Sequence, residues 1–374
     1  MSQAARCYAE ISRSRIAANF HAVRKTSSGS DVIVVVKANA YGHGAVEVAR
    51  VVCAEGARWL AVSSVEEGIA LRAAGIGCRI LVMAGVMQWE RAVLRECSLT
   101  PVVHSLEDLR IFDELPPLDV HLKIDTGMNR LGARASAASI AEAIGTLRNV
   151  RVEGLLSHFA SASDFEATQT EEQIAAFDDT VMELARLGFR PALRHFASTN
   201  AIAYPRTGEW LAQGPSLVRP GHAIYGYVSP ARGQAPAPAL RVQPALSWHA
   251  KIIAVKDIPA GAKVGYGGTF QAAAPMRLAV LAAGYADGVP HRLSNKGKVI
   301  AGGRLCPMVG PVSMDLTTID ITQAPQLKPG DDVALLGEEG DVHLDAQQIA
   351  RVAGTISYSV LCGIGARVKR FYVD

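Results

Sequence analysis

The sequence predicts an α/β protein, in which an N-terminal (β/α)8 TIM barrel is followed by a mainly β C-terminal domain. Eight short apolar segments, each followed by helical periodicity, occupy about 220 residues, which is the size and count of such a barrel. The segments at residues 32–36 and 80–83 are apolar at nearly every position, as expected of strands buried on both faces. A doubly wound sheet produces the same local patterns and is the alternative.

The barrel elements follow from these patterns in chain order. Strands are predicted at residues 32–36, 59–63, 80–83, 100–103, 120–124, 152–157, 193–197 and 216–219. Helices are predicted at residues 44–54, 64–74, 88–97, 105–113, 138–147 and 170–187, where apolar residues recur three and four positions apart.

The alternation of strands and helices ends at residues 230–239, which contain three prolines and are typical of a linker. Beyond them, strands are predicted at residues 246–255, 278–282, 298–300, 316–321 and 333–336, with one helix at residues 344–353. We therefore assign residues 1–237 to the barrel and residues 238–374 to the mainly β domain.

Composition excludes several classes of protein. The chain is 49% hydrophobic and 20% charged, which is typical of a globular protein. A net charge of +3 is too small to predict a nucleic acid or an anionic membrane as partner. The first ten residues lack the apolar stretch of a signal peptide, and no apolar run reaches the roughly 18 residues of a membrane span. Six cysteines without a close pair predict reduced thiols in a cytoplasmic protein and no metal site.

A lysine directly follows the first predicted barrel strand. Residues 32–44 read VIVVVKANAYGHG, so Lys37 stands at the exit of a buried strand, where lost hydration lowers the pKa of an amine. One interpretation is a side chain that extends to the rim. The other is a Schiff-base lysine at the C-terminal mouth of the barrel, where enzymes of this fold carry their catalytic groups. The flanking Asn39, Tyr41 and two glycines favour the second interpretation.

This segment resembles the pyridoxal-phosphate lysine motif of alanine racemases. Further motifs resemble those of the family in the same order, at residues 123–132 (KIDTGMNRLG), 219–221 (RPG), 265–267 (GYG), 284–288 (GYADG), 313–315 (SMD) and 356–358 (ISY). The resemblance extends from about residue 8 to the C-terminus. It implies pyridoxal 5'-phosphate as cofactor and a homodimer with shared active sites. It also implies interconversion of L- and D-alanine, supplying D-alanine for peptidoglycan.

The resemblance implies two bases on opposite faces of the substrate. Lys37 is expected to bind the cofactor covalently and to move the α-proton on one face, and Tyr266 to do so on the other. A tyrosine with a pKa near 10 is a poor base at neutral pH, and His158 matches the histidine that assists it. Arg219 matches the arginine that faces the pyridine nitrogen. Because a guanidinium keeps its proton, that nitrogen is expected to stay unprotonated, which disfavours transamination. Without the other motifs, His158 and Arg219 are each compatible with a structural hydrogen bond or ion pair.

A phosphate site follows from the fold as well as the family, because barrels often bind phosphate with the loops after strands seven and eight. The predicted donors are backbone N–H groups and hydroxyls of Tyr41, Thr199, Gly221, His222 and Tyr358. Thr199 stands where the family more often has serine, so the choice between Ser198 and Thr199 stays open.

Substrate binding is assigned by the same resemblance. Arg130 and the backbone at Met314 are expected to bind the substrate carboxylate, and Tyr285 and Tyr358 to narrow the entrance so that a methyl side chain is favoured. Lys123 occupies a position that is carbamylated in many family members, and an ordinary ammonium paired with Asp125 is the alternative.

Three other functions remain open on the sequence alone. The first is a racemase of broader specificity, which also accepts serine or basic amino acids. The second is a non-catalytic pyridoxal-phosphate carrier, whose relatives lack the β domain, so Tyr266 and Met314 argue against it. The third is a decarboxylase on the same two-domain plan, in which Arg219 is not expected.

Overall fold

The computed structural model describes residues 5–27, 29–205 and 216–374. The signal-peptide prediction concerns the first ten residues, and residues 1–4 of these lie outside the described range. Two compact units are formed, one by residues 15–40 and 45–243 and the other by residues 1–14, 41–44 and 244–374. Strand β1 (Cys7–Ser12) pairs with residues 246–250 in the second unit. Strand β1 thus belongs to the second unit, whereas the sequence assigned residues 1–237 to the barrel. A strand partner more than 200 residues away leaves no local pattern from which this pairing could be predicted.

The first unit contains a closed barrel of eight parallel strands, which confirms the barrel and excludes the doubly wound sheet. The strands are β2 (Asp31–Val35), β3 (Trp59–Val62), β4 (Arg79–Val82), β5 (Leu99–Val103), β6 (Leu118–Lys123), β7 (Val150–Leu156), β8 (Leu193–Ser198) and β9 (Ser216–Arg219). Neighbouring strands pair in parallel, as in Val34 with Leu60 and Leu60 with Ile80. These residues are fully buried, which explains why their segments are apolar throughout.

In the described residues, helices lie between these strands at the six predicted positions, and two further helices, before β2 and after β8, were not predicted. They are α1 (Arg13–Thr26), α2 (Ala45–Ala54), α3 (Val65–Ala73), α4 (Arg91–Glu96), α5 (Leu106–Asp113), α6 (Ala137–Gly145), α7 (Gln169–Arg186) and α8 (Thr199–Ala203). Ser64, Ser105 and Ser136 begin three of them, each accepting a hydrogen bond from the backbone N–H three residues later. The predicted helix 88–97 is divided into a 3-10 turn, Gln88–Glu90, and α4. None of the described helices has the length and apolar character needed to cross a membrane.

The second unit is mainly β, as predicted. Its strands after β1 are β10 (Leu246–Ile258), β11 (Lys263–Val264), β12 (Phe270–Gln271), β13 (Met276–Leu281), β14 (Lys298–Ala301), β15 (Arg304–Pro307), β16 (Thr317–Asp320), β17 (Asp332–Glu339), β18 (Val342–Leu344) and β19 (Lys369–Val373). Strand β10 is central and pairs with β1, β13 and β17. Two helices, α9 (Ala346–Ala353) and α10 (Ser357–Cys362), lie between β18 and β19. The first begins with a capping box between Asp345 and Gln348 and ends at the left-handed Gly354.

A disulfide joins Cys53 and Cys78, with a Cα–Cα distance of 6.7 Å. The prediction that all six cysteines are reduced is therefore wrong for this pair. The two residues are 25 positions apart, and the pairing of β3 with β4 brings the end of α2 close to the start of β4. Cys7, Cys97, Cys306 and Cys362 are reduced thiols, as predicted.

Candidate active site

Lys37, two residues after the end of β2, begins a left-handed turn. The four non-glycine residues that follow, Ala38, Asn39, Ala40 and Tyr41, have φ angles of 52–53°. L-amino acids adopt this conformation at a cost of about 1–2 kcal/mol each, so surrounding contacts must hold it. Backbone strain of this kind concentrates at functional sites. The turn leaves the Lys37 side chain half-buried at the C-terminal end of a barrel strand.

Hydrogen bonds within the first unit hold this turn. The carboxylate of Glu67 accepts from the backbone N–H of Ala38 at 2.6 Å and from that of Ser63 at 2.7 Å. The side-chain oxygen of Asn39 accepts from the N–H of Ala45 at 2.9 Å. Glu67 thus ties the turn to the end of β3. Nothing in the local sequence pattern distinguishes Glu67 from a solvated helix glutamate, so it was not among the predicted site residues.

Arg219, the last residue of β9, is only 3% exposed. Its guanidinium donates to the carbonyl oxygens of Ser157, His195 and Phe196 at 2.6, 2.8 and 3.2 Å. It also lies 2.8 Å from Nδ1 of His195 and 3.2 Å from Nδ1 of His158. Because a guanidinium only donates, both of these nitrogens are acceptors and carry no proton. Arg219 is therefore held in one orientation by five acceptors.

His158, just beyond β7, is surrounded by positive charge. Burial, followed by the charges of Arg219, Lys123, Arg130 and Lys37, lowers its pKa to about 3. The imidazole is therefore neutral at physiological pH. The same four cations make the mouth of the barrel a place where negative charge is stabilised.

Lys123 ends β6 and is 6% exposed. Burial and the charges of Arg130 and Arg219 lower its pKa to about 8. Asp125, its predicted alternative partner, accepts instead from Arg134 at 3.1 Å and from two backbone N–H groups. Among the described residues, no carboxylate oxygen lies within 4 Å of the amine of Lys123 or of the exposed guanidinium of Arg130. Both cations are therefore available to an anion.

Thr199 begins the short helix α8 and is buried. Its hydroxyl oxygen accepts from the backbone N–H groups of Gly221 and Ala223, each at 3.2 Å. These two groups lie at the start of the 3-10 turn His222–Tyr225, after β9, and His222 itself is buried. Between Ser198 and Thr199, it is Thr199 whose hydroxyl meets these N–H groups. Because its oxygen accepts from both N–H groups, the Thr199 hydroxyl has its own proton to donate, and the N–H dipoles after the last two barrel strands favour an anion such as phosphate.

Tyr41 and Tyr358 lie together in the second unit, with ring centroids 5.9 Å apart. Tyr41 is buried, and burial followed by the neighbouring Tyr358 raises the pKa of its phenol. The phenol therefore keeps its proton and is a hydrogen-bond donor. The following Gly42 passes so close to the carbonyl of Leu361 in α10 that no side chain fits there.

Tyr266 lies between β11 and β12 and is 79% exposed. The flanking Gly265 and Gly267 have φ angles of 72° and 67°, which favour glycine. A Cβ atom on Gly265 would lie 2.7 Å from Cδ of Pro311. The backbone of this turn is therefore closely packed, while the phenol projects into solvent.

Tyr285 and Met314 are carried by two loops of the second unit that are hydrogen-bonded to each other. The N–H of Tyr285 donates to the carbonyl of Ser313, and that of Ala286 to the carbonyl of Met314, both at 2.9 Å. Gly284 packs so closely against these carbonyls that a side chain is excluded. Tyr285 is 46% and Met314 53% exposed. Large exposed side chains of this kind often mark an interaction surface.

Comparison with known proteins identifies the family. The alanine racemase N-terminal domain matches residues 11–230, and the alanine racemase C-terminal domain matches residues 245–372. The chain belongs to the alanine racemase family. Together the two alanine racemase domains cover both parts of the predicted architecture.

Alanine racemases from several organisms resemble the chain over nearly its full length. Those of Symbiobacterium thermophilum and Syntrophobacter fumaroxidans are 37% and 39% identical, covering 98% of this chain and 96% and 98% of theirs. The crystal structure of alanine racemase from D-cycloserine-producing Streptomyces lavendulae has a TM-score of 0.90 and 32% identity, covering 99% of this chain and 97% of that one. The alanine racemase of Bartonella henselae, solved with covalently bound pyridoxal phosphate, has a TM-score of 0.87 and 28% identity, covering 99% and 100%.

Proposed function

We propose that the protein is a pyridoxal-phosphate-dependent alanine racemase that interconverts L- and D-alanine. Membership of the alanine racemase family supports this directly. The observation that carries the proposal is the arrangement at the barrel mouth, where Lys37 directly precedes a strained turn and Arg219 is held by five acceptors. We further propose that the enzyme works in the cytoplasm and supplies D-alanine for peptidoglycan.

The donor groups of the first unit fit the cofactor. Thr199 and the N–H groups of Gly221 and Ala223 suit its phosphate, and the amine of Lys37 suits its aldehyde. The cationic guanidinium of Arg219 suits an unprotonated ring nitrogen, which can only accept a hydrogen bond. When bound, the cofactor supplies an electron-withdrawing ring that acidifies the α-proton of the substrate. Donation by His222, Tyr41 and Tyr358 to the phosphate is proposed from the family resemblance. For Tyr41, burial raises the pKa of the phenol, so it keeps the proton that a donor needs.

The proposed reaction needs a base on each face of the substrate, and we assign Lys37 and Tyr266 to these roles. Nδ1 of His158 accepts from Arg219, so the imidazole proton lies on Nε2, where it can donate to a phenolate. Arg130 is proposed to bind the substrate carboxylate.

We propose that each active site is shared between two copies of the chain. Tyr266, Tyr285 and Met314 are all exposed in the single chain, as expected if they complete the site of a second copy. A two-fold homodimer forms two equivalent sites in this way. The backbone at Met314 and the phenol of Tyr285 are assigned to substrate binding and to narrowing of the entrance, which favours alanine. Racemase assays with serine, lysine and arginine distinguish this from the broader-specificity alternative.

Borohydride reduction tests the assignment of Lys37. Protein loaded with pyridoxal phosphate is expected to lose its visible absorbance on reduction, and peptide mapping is expected to find the pyridoxyl group on the peptide that contains Lys37. Lys37→Ala protein treated in the same way is the control and is expected to remain unlabelled. A stable label on any other lysine contradicts the proposal.

Carbamylation of Lys123 is proposed because its amine is buried next to cations. With a pKa of about 8, about a tenth of the Lys123 amine is uncharged at pH 7. For an ordinary lysine the uncharged fraction is below about 0.1%. The uncharged nitrogen can attack the carbon of CO2. A C–N bond forms, and the electron pair of one C–O π bond moves to oxygen, which gives a carboxylate. One N–H proton leaves to solvent. The resulting anion would pair with Arg130 and hold it in place for the substrate.

Substitution of Lys123 by alanine is expected to lower racemase activity at least about tenfold, through loss of this charge-assisted contact. Native protein equilibrated with 13C-bicarbonate is expected to show a carbamate 13C signal that is absent from Lys123→Ala protein. Lys251→Ala, which removes a lysine paired with Asp332 in the second unit, is expected to keep both signal and activity. A carbamate signal missing from the native protein, or unchanged in Lys123→Ala, contradicts carbamylation at this residue.

A further inference from the structure

A continuous chain of polar side chains leads from Arg219 through the barrel interior. Nη1 of Arg219 lies 2.8 Å from Nδ1 of His195, and Nε2 of His195 lies 2.7 Å from Nδ1 of His121. Nε2 of His121 lies 3.4 Å from Glu153, which accepts from Arg79 at 2.7 and 2.8 Å. Both histidines are fully buried. The chain thus connects the candidate active site with an ion pair on the other side of the barrel core.

The interior of the barrel is shaped to hold these five side chains. The five residues lie on β4, β6, β7, β8 and β9. A Cβ atom on Gly154 would lie 2.8 Å from Nδ1 of His121, so glycine is needed for the ring to fit. The guanidinium of Arg79 lies 3.9 Å above the ring of Trp59. Buried polar side chains are costly unless every one is hydrogen-bonded, so this arrangement is a built network.

The two ends of the chain determine the direction of every hydrogen bond in it. Arg219 only donates, so Nδ1 of His195 accepts and its proton lies on Nε2. That proton is donated to Nδ1 of His121, whose own proton on Nε2 is then donated to Glu153. Burial alone raises the pKa of Glu153, but hydrogen bonds from His121 and Arg79 lower it to about 2, so it is an ionised acceptor. Burial lowers the pKa of both histidines, which are therefore neutral.

We propose that Glu153 is a positioning residue that fixes, through His121, the tautomer of His195 and thereby the orientation of Arg219 toward the cofactor ring. This rests on the proposed function, in which Arg219 faces the ring nitrogen. With the opposite tautomers, the Nδ1–H of His195 would point at an N–H of Arg219. Two donors would then meet, and the guanidinium would have to turn away.

The substitution Glu153→Leu tests this relay by removing both carboxylate oxygens. Oε2 of Glu153 faces both His121 and Arg79, so its loss leaves Nε2 of His121 without an acceptor. The proton then no longer has to lie on Nε2, and both histidines are expected to populate the Nδ1–H tautomer beside the Nε2–H tautomer. Long-range 1H–15N correlation spectra of the imidazole nitrogens report this change directly in cofactor-free and in loaded protein. The affinity for pyridoxal phosphate is expected to fall about 10- to 100-fold, as for loss of a hydrogen bond to a charged group.

Asp119→Asn is the matched control. Asp119 accepts from Arg151 at 2.7 Å and lies 3.9 Å from Arg79, but it is not part of the histidine chain. This variant removes one charge from the same cluster and is expected to keep the native tautomers and the native affinity. A purely structural role for Glu153 predicts instead that both variants lose stability and that neither changes the tautomers.

The proposal is overturned if native His195 carries its proton on Nδ1, a measurement that needs no variant. It is also overturned if Glu153→Leu keeps only the native tautomers, or if Asp119→Asn changes them equally. The imidazole spectra do not depend on turnover. A protein with the expected tautomers and no racemase activity therefore refutes the proposed function and leaves the relay intact.

Discussion

Replacement of Tyr266 by phenylalanine is expected to stop racemisation in both directions while leaving proton exchange from one enantiomer. Removal of one of two bases costs about 10²- to 10⁴-fold in rate. Lys37 remains on its own face and can still remove and return the α-proton of the enantiomer that presents it there. In D2O, native enzyme is expected to exchange the α-proton of both L- and D-alanine and to invert both. The variant is expected to exchange only one of them, without inversion, as followed by 1H NMR and chiral chromatography.

The control for this experiment is Tyr204→Phe, which removes a phenol that donates to the carbonyl of Ser229 in the first unit. Its exchange and inversion rates are expected to match those of native protein. If Tyr266→Phe exchanges both enantiomers at equal rates, or inverts alanine at the native rate, Tyr266 is not the second base.

The barrel strands were predictable because burial on both faces requires runs of apolar residues, and these runs are visible in a single sequence. Residues 32–36 and 80–83 match β2 and β4 to within one residue. The position of Lys37 at a strand exit was predictable for the same reason. Its left-handed turn was not, because a run of four residues with positive φ is unfavourable for L-amino acids such as alanine and tyrosine. Tertiary hydrogen bonds such as those of Glu67 offset that cost.

The contacts that organise the site are long-range, and this explains what the sequence analysis missed. His121 and His195 are 74 residues apart, and Glu153 and Arg79 are also 74 apart, so no local spacing connects them. Charged or polar residues within otherwise apolar barrel strands were the available signal, since such residues must find partners inside the barrel. The disulfide between Cys53 and Cys78 and the pairing of β1 with β10 arise in the same way, from neighbours that only the closed fold brings together.

Complementation between two inactive variants tests the shared two-base site, which is the central claim. Lys37→Ala and Tyr266→Ala proteins are each expected to be nearly inactive, because catalysis needs both groups positioned on one substrate. When the two are unfolded and refolded together in equal amounts, random pairing makes about half of the dimers mixed. In a mixed dimer, one site carries both substitutions and the other carries neither. One intact site in about half of the dimers corresponds to roughly one quarter of native activity.

The measurement is the alanine racemase rate of the refolded mixture, with the proportion of mixed dimers determined by native mass spectrometry. Each variant refolded alone is the control and is expected to stay inactive. Recovery of about a quarter of native activity is predicted if Lys37 and Tyr266 of one site come from different chains. If both belong to the same chain, every site carries one substitution, and the mixture stays inactive even when mixed dimers are demonstrated, which contradicts the shared site.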